Sequence, residues 1–159
     1  MENILEVEEF QTEDVIGPTL RSLNHSRLTY RISMQLTKYD EQYDILPELE
    51  FELLVDRAKP DISICKKMPV DWVHDIIRLK EPPITAIEIL SPKQAYNDLT
   101  DKIYDNYFHS GVQSVWLVIP SVKAIQLFIP EQPVKYFTDG IFTDPISGIE
   151  LDLKTIFKS

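Results

Sequence analysis

Residues 84–119 confine the chain to a narrow set of folds. An apolar run, ITAIEIL (84–90), precedes an amphipathic stretch, and a second apolar run, VQSVWLVIP (112–120), follows it. Both runs read as strands buried on two faces, because apolar residues fall on both sides of the alternation. Between them, Ser91-Pro92-Lys93-Gln94 predicts a helix start. Serine caps, proline takes the first helical position, and glutamine lies three residues after the cap. The helix is expected to reach about His109, with Tyr96, Leu99, Ile103 and Tyr107 inward. Asp98, Lys102, Asp105 and His109 make a polar stripe, and Gly111 supplies a left-handed stop. A strand–helix–strand crossover forces one parallel strand pair.

The flanking segments add antiparallel pairs. AIQLFI (124–129) follows closely enough for a hairpin through PSVK (120–123), and VKYFT (134–138) and IELDL (149–153) read as edge strands. Upstream, Asn24 is expected to cap a helix whose buried stripe is Leu28, Ile32, Leu36 and Tyr39. Arg27, Arg31 and Lys38 fall outside the stripe, on a solvated face; Arg27 and Arg31 are candidate phosphate contacts. LEFELLV (49–55) alternates as a half-buried strand, and PDISIC (60–65) makes another with Asp61, Ser63 and Cys65 on one face. PVDWVHDIIRL (69–79) suggests a short helix with Trp72, Val73, Ile76 and Leu79 inward, stopped by the paired prolines. Its lone histidine, His74, reads as a surface or packing residue. The class is α/β, a mixed sheet flanked by helices.

The 159 residues suit one domain: an arm (1–23), a core (24–130) and C-terminal strands (131–159). Cys65, the one cysteine, excludes an internal disulfide framework and reads as a small core residue. The opening MENILEVEEF is acidic and lacks the apolar segment of a signal peptide. No apolar run approaches the ~18 residues of a membrane span. The expectation is a cytoplasmic protein with no membrane partner. The formal net charge of -10 argues against a simple electrostatic nucleic-acid binder. A bound divalent cation, however, inverts the local charge of a carboxylate cluster.

Two carboxylates stand out as candidates for chemistry. Asp61 and Glu88 each interrupt an otherwise apolar strand. An ionised carboxylate buried alone costs several kcal/mol, so each needs a partner. A shared Mg²⁺ would satisfy both, since it takes hard oxygens from one or two carboxylates plus water. Two plainer readings stand beside it: Asp61 caps the turn after Pro60, and Glu88 pairs with a buried arginine or lysine.

The ordered motifs NHSRLTYRISMQL, KPDISI, AIEILSPK, NDLTDK, YFHSGV and VWLVIP, within residues 24–130, resemble the PD-(D/E)XK nuclease superfamily and, within it, the Uma-type restriction endonuclease family. The resemblance implies a restriction-endonuclease-like core and metal-dependent hydrolysis of DNA phosphodiester bonds, with Mg²⁺ or Mn²⁺ as cofactor. Asp61 and Glu88 would be metal ligands, with the carbonyl of Ile89 completing the site. The superfamily's lysine, two residues after the second acid, is here Leu90. Lys102, on the following helix, matches the family's position and would act on water or phosphate, with Lys93 in reserve and Asp98 orienting Lys102. Ser91 is a cap more readily than a participant. The first-helix acid of many members is absent from residues 25–38. A second reading is therefore a binding or regulatory module that keeps the fold without the chemistry. A third is a structural protein with buried ion pairs. A homodimer would supply two sites for two strands.

Overall fold

The computed structural model describes residues 21–159. The expected arm, apart from residues 21–23, lies outside the described residues. Helix α1 (Leu23–Leu36) buries Leu28, Ile32 and Leu36 along one stripe. Ser22, not Asn24, caps it: the Ser22 hydroxyl accepts from the His25 N–H at 3.1 Å. Both residue types cap well, so sequence alone placed the boundary two residues late.

The main sheet is built from β1 (Tyr43–Pro47), β4 (Ile62–Lys66), β6 (Thr85–Ile89), β7 (Ser114–Ile119), β8 (Ala124–Phe128) and β9 (Lys135–Phe137). They lie side by side in that order. The crossover makes β6 and β7 parallel, with Ile87 beside Trp116; every other pair in this sheet is antiparallel. A smaller sheet holds β3 (Arg57–Ala58), β2 (Glu50–Glu52) and β5 (Arg78–Leu79). The Pro-Asp strand β4 thus lies between β1 and β6, antiparallel to both.

Alternation along the central strands makes two apolar layers. Ile62, Ile64, Ile87, Ile89, Trp116 and Val118 pack with the α1 stripe. Cys65, Ala86, Val115 and Leu117 pack with Leu99, Ile103 and Tyr107 on the other face. Helix α2 (Tyr96–Lys102) supplies Leu99 and runs into a π-helical turn, Ile103–Tyr107. This corrects the expected helix start. Ser91–Gln94 forms a turn in which the Gln94 side chain accepts from the Ser91 N–H at 3.0 Å, and Ala95 stands at the helix boundary without a side-chain cap. Half the expected capping box forms, but the chain turns once more before it coils. Gly111 ends the segment at φ 101°, in the region only glycine enters freely.

Residues 69–77 form no helix. Trp72 is 93% exposed, and Val73, Ile76 and Ile77 also face outward. The Asp71 carboxylate accepts from the Val73 and His74 N–H groups and contacts the His74 ring. Such local side-chain bonds compete with helical ones. Leu79 alone of the expected inward set is half-buried, in β5.

The expected 134–138 strand is β9, at the edge of the main sheet, whereas the 149–153 segment joins a separate ribbon. Strands β10 (Ile141–Thr143) and β11 (Glu150–Asp152) pair with each other, and α3 (Leu153–Ile156) follows. Arg31 Nη1 bonds the carbonyls of Ile156 and Lys158 at 3.0 and 2.8 Å, so its guanidinium ties α1 to the C-terminal segment. Gln35 exchanges two bonds with the Asp152 main chain. Among the described residues no helix is long and apolar enough to cross a membrane.

Asp144, fully buried, fixes the β10–β11 ribbon to β7. It accepts from Ser114 Oγ at 2.6 Å, Trp116 Nε1 at 2.8 Å and the Ile146 N–H at 2.8 Å. Asp144→Ala would strand these donors, and urea denaturation should show a loss of about 3 kcal/mol. Burial pushes the Cys65 thiol up to about 12, with Asp44 and Glu81 adding to it. At about pH 8 the folded protein should therefore resist iodoacetamide and react once unfolded in urea, as followed by mass spectrometry.

Candidate active site

The β4–β6 register pairs Ile62 with Ile87, Ser63 with Ala86 and Ile64 with Thr85. Continued one step, it sets Asp61 opposite Glu88. Directly opposed residues of an antiparallel pair project to the same face. Both are buried, at 5% and 4% exposed. The Asp61 Oδ2 atom accepts from the Ile89 N–H at 2.7 Å, which ties the acid of one strand to the residue after the acid of the other. A strand residue's N–H and C=O point to the same side, so the Ile89 carbonyl also faces the Asp61 side.

Each carboxylate has its own set of donors. On Asp61, Oδ1 lies 3.0 Å from His25 Nε2 and 3.4 Å from Arg21 Nη2. His25 lies in the first turn of α1, and Arg21 just before its cap. Arg21 also approaches Glu48, at 3.6 Å. On Glu88, Oε2 accepts from Lys102 Nζ at 2.8 Å and from the Tyr107 hydroxyl. The Lys102 ammonium lies 5.2 Å from the Tyr107 ring centroid. Burial raises the Glu88 carboxyl above its ordinary range, against the pull of Lys102, and the Asp61 charge adds to the rise. Burial, reinforced by Glu88, also holds the Tyr107 phenol well above its ordinary value. The two acids therefore sense one another.

The structure gathers Asp61, Glu88, Ile89 and Lys102. It does not gather the rest. Lys93 and Asp98 are exposed, and Lys102 pairs with Glu88 rather than with Asp98. Ser91 is buried in the turn below α2. Arg27 is exposed and bonds Asn24 at 2.7 Å. Leu90, at the position of the superfamily's usual lysine, packs against the α2-side core. Sequence reasoning missed Arg21, His25 and Tyr107 as neighbours of the acids. His25 lay in the quoted motif and Tyr107 in the inward stripe, but neither spacing nor composition says what they touch. Helix α1, which has no acid over residues 25–38, brings His25 to Asp61.

Among the described residues, no three His, Cys, Asp or Glu side chains converge as a metal cluster. A hard cation would instead find two carboxylates and the Ile89 carbonyl, a donor set that suits Mg²⁺ or Mn²⁺ with water filling the remaining positions. Two observations fit such a guest. Among the described residues the Ser63 hydroxyl is buried without a hydrogen-bond partner, on the same strand face as Asp61. The Glu88 contacts both fall on Oε2, so its other oxygen is uncommitted among them.

The structure is similar to the crystal structure of "a putative nuclease belonging to DUF820 from Anabaena variabilis ATCC 29413", with TM-score 0.75 and 24% identity over 87% of this chain and 82% of that one. At that identity the likeness establishes the fold, a mixed α/β fold. The sequence matches the family Uma2, "Putative restriction endonuclease", over residues 5–154. The chain belongs to that family. No curated protein matches it.

The raised Glu88 carboxyl has a consequence for stability. A folded pKa above the ordinary 4.5 gives stability that is fully present below the unfolded value and is lost as pH rises through the folded one. Without divalent cations, Glu88→Gln should therefore melt higher than the wild type near neutral pH. The gap should close below the carboxylate range, as differential scanning calorimetry would show.

Proposed function

We propose that this protein is a divalent-metal-dependent nuclease that hydrolyses DNA phosphodiester bonds. The observation that carries the reading is the opposition of Asp61 and Glu88 across β4 and β6, with Lys102 on Glu88 at 2.8 Å. Membership of a restriction endonuclease family supports it. So does the likeness of the fold to a protein described as a nuclease.

Asp61, Glu88 and the Ile89 carbonyl would hold the cation. When bound, the cation would stabilise charge on the phosphate and make an attacking water more acidic. The Ile89 N–H holds Asp61 in one orientation, and His25 and Arg21 hold it from the α1 side. Lys102 stands where it can offset charge developing on a phosphate or orient water, since its ammonium is only half-buried and its stem is long. Leu90 can do neither. The surrounding apolar strands keep both acids from relaxing, which fixes the geometry before substrate arrives.

Plasmid DNA incubated with Mg²⁺ or Mn²⁺ is the test. The wild type should nick or cut it, and Asp61→Ala and Glu88→Ala should fall to background. Lys102→Ala should lose about a hundredfold or more in rate. DNA bound but never cut, with either metal, would instead favour a binding module that keeps the fold without the chemistry.

A further inference from the structure

We infer that Tyr107 is a positioning residue that, through the π-helical turn, holds one oxygen of Glu88 and reserves the other for the cation; this rests on the nuclease reading above. Lys102 and Tyr107 both contact Glu88 Oε2. They are five residues apart. In a regular α-helix of 3.6 residues per turn, residues at that separation point about 140° apart around the axis. They could not converge on one oxygen. A turn closed by a bond five residues back stacks them instead. Here the Phe108 N–H bonds the Ile103 carbonyl at 3.0 Å, and residues Ile103–Tyr107 are π-helical.

The widened turn therefore lets two donors of different character share a target. Lys102 approaches half-exposed, with its ammonium 5.2 Å from the Tyr107 ring centroid. Tyr107 approaches from within the core, fully buried. Its ring packs with Leu99, Ile103 and Leu117, so the phenol has little freedom to leave. Lys102 is free to turn toward a phosphate; Tyr107 is not. The buried phenol thus keeps Glu88 in place while Lys102 works, and Glu88 meets the cation through Oε1.

Manganese titration by calorimetry tests this on the full chain. The variants are Tyr107→Phe and, as a control, Tyr96→Phe. Tyr96 lies at the start of the same helix and bonds Gln126 Oε1 at 2.9 Å, not Glu88. Tyr107→Phe should weaken Mn²⁺ binding by about tenfold or more, the usual loss when a ligand's supporting bond is removed. Tyr96→Phe should match the wild type. Thermal melts establish that each variant is folded at the titration temperature, where a merely structural role would leave the metal affinity unmoved. Wild-type binding with an unchanged Tyr107→Phe overturns the inference alone. No Mn²⁺ binding by the wild type overturns the nuclease reading and the inference with it. A Mn²⁺-loaded crystal structure of the wild type gives an independent answer if Tyr107→Phe does not fold. Metal on Oε1 with Tyr107 still on Oε2 is expected; metal on Oε2 overturns the inference.

Discussion

Two carboxylates buried across one strand pair are costly, and the arrangement of both helices answers that cost. Continuing the β4–β6 register by one step puts Asp61 and Glu88 on one face, within range of mutual repulsion. A buried ion with no donor costs several kcal/mol. The first turn of α1 offers His25 to Asp61, and the position just before its cap offers Arg21. The end of α2 and the turn beyond it offer Lys102 and Tyr107 to Glu88. A slide of either helix along the sheet would take side-chain donors from one of the acids. The apolar stripes on the two faces, Leu28-Ile32-Leu36 and Leu99-Ile103-Tyr107, hold the helices at the heights where those donors arrive.

The ammonium that meets Glu88 comes from a helix, which sets what controls it. A lysine at position 90 would be fixed by the sheet itself. Lys102 is fixed by how α2 seats on the sheet, because its backbone neighbours Leu99 and Ile103 are the helix's buried contacts. Core packing and site geometry are thus one variable on this side of the molecule. On the Asp61 side they are more nearly separate, since the Ile89 N–H that orients Asp61 belongs to the sheet.

The legible parts of the sequence were those where polarity and burial conflict. Residues 84–119 declared a crossover because both strand runs are apolar on two faces. Asp61 and Glu88 stood out for the opposite reason, as acids among apolar residues. Lys102 was visible only through the family resemblance; its spacing alone suited an exposed pair with Asp98. Other features left no mark. Strand β1, YDILP, carries mixed polarity and two chain-turning residues, and nothing in it announces a partner for β4. Trp72, Val73 and Ile76 misled because apolar periodicity reports what a segment could bury, while Asp71 had already committed the backbone to a local turn. The π-helical turn adds its extra residue without glycine or proline. His25 acquires a role only when a distant strand brings Asp61 to it.

The tie made by Arg31 has a further consequence. Its guanidinium grips the carbonyls of Ile156 and Lys158, which are main-chain atoms every residue type provides. The lock is therefore indifferent to the identity of what it closes on. The tie leaves the Lys158 side chain unconstrained, while buried Leu153 and Ile156 and the Gln35 bonds to the Asp152 main chain share the work of docking the segment. Exposed positions such as Lys158 can accept new surface chemistry without loosening the helix that carries His25 to Asp61.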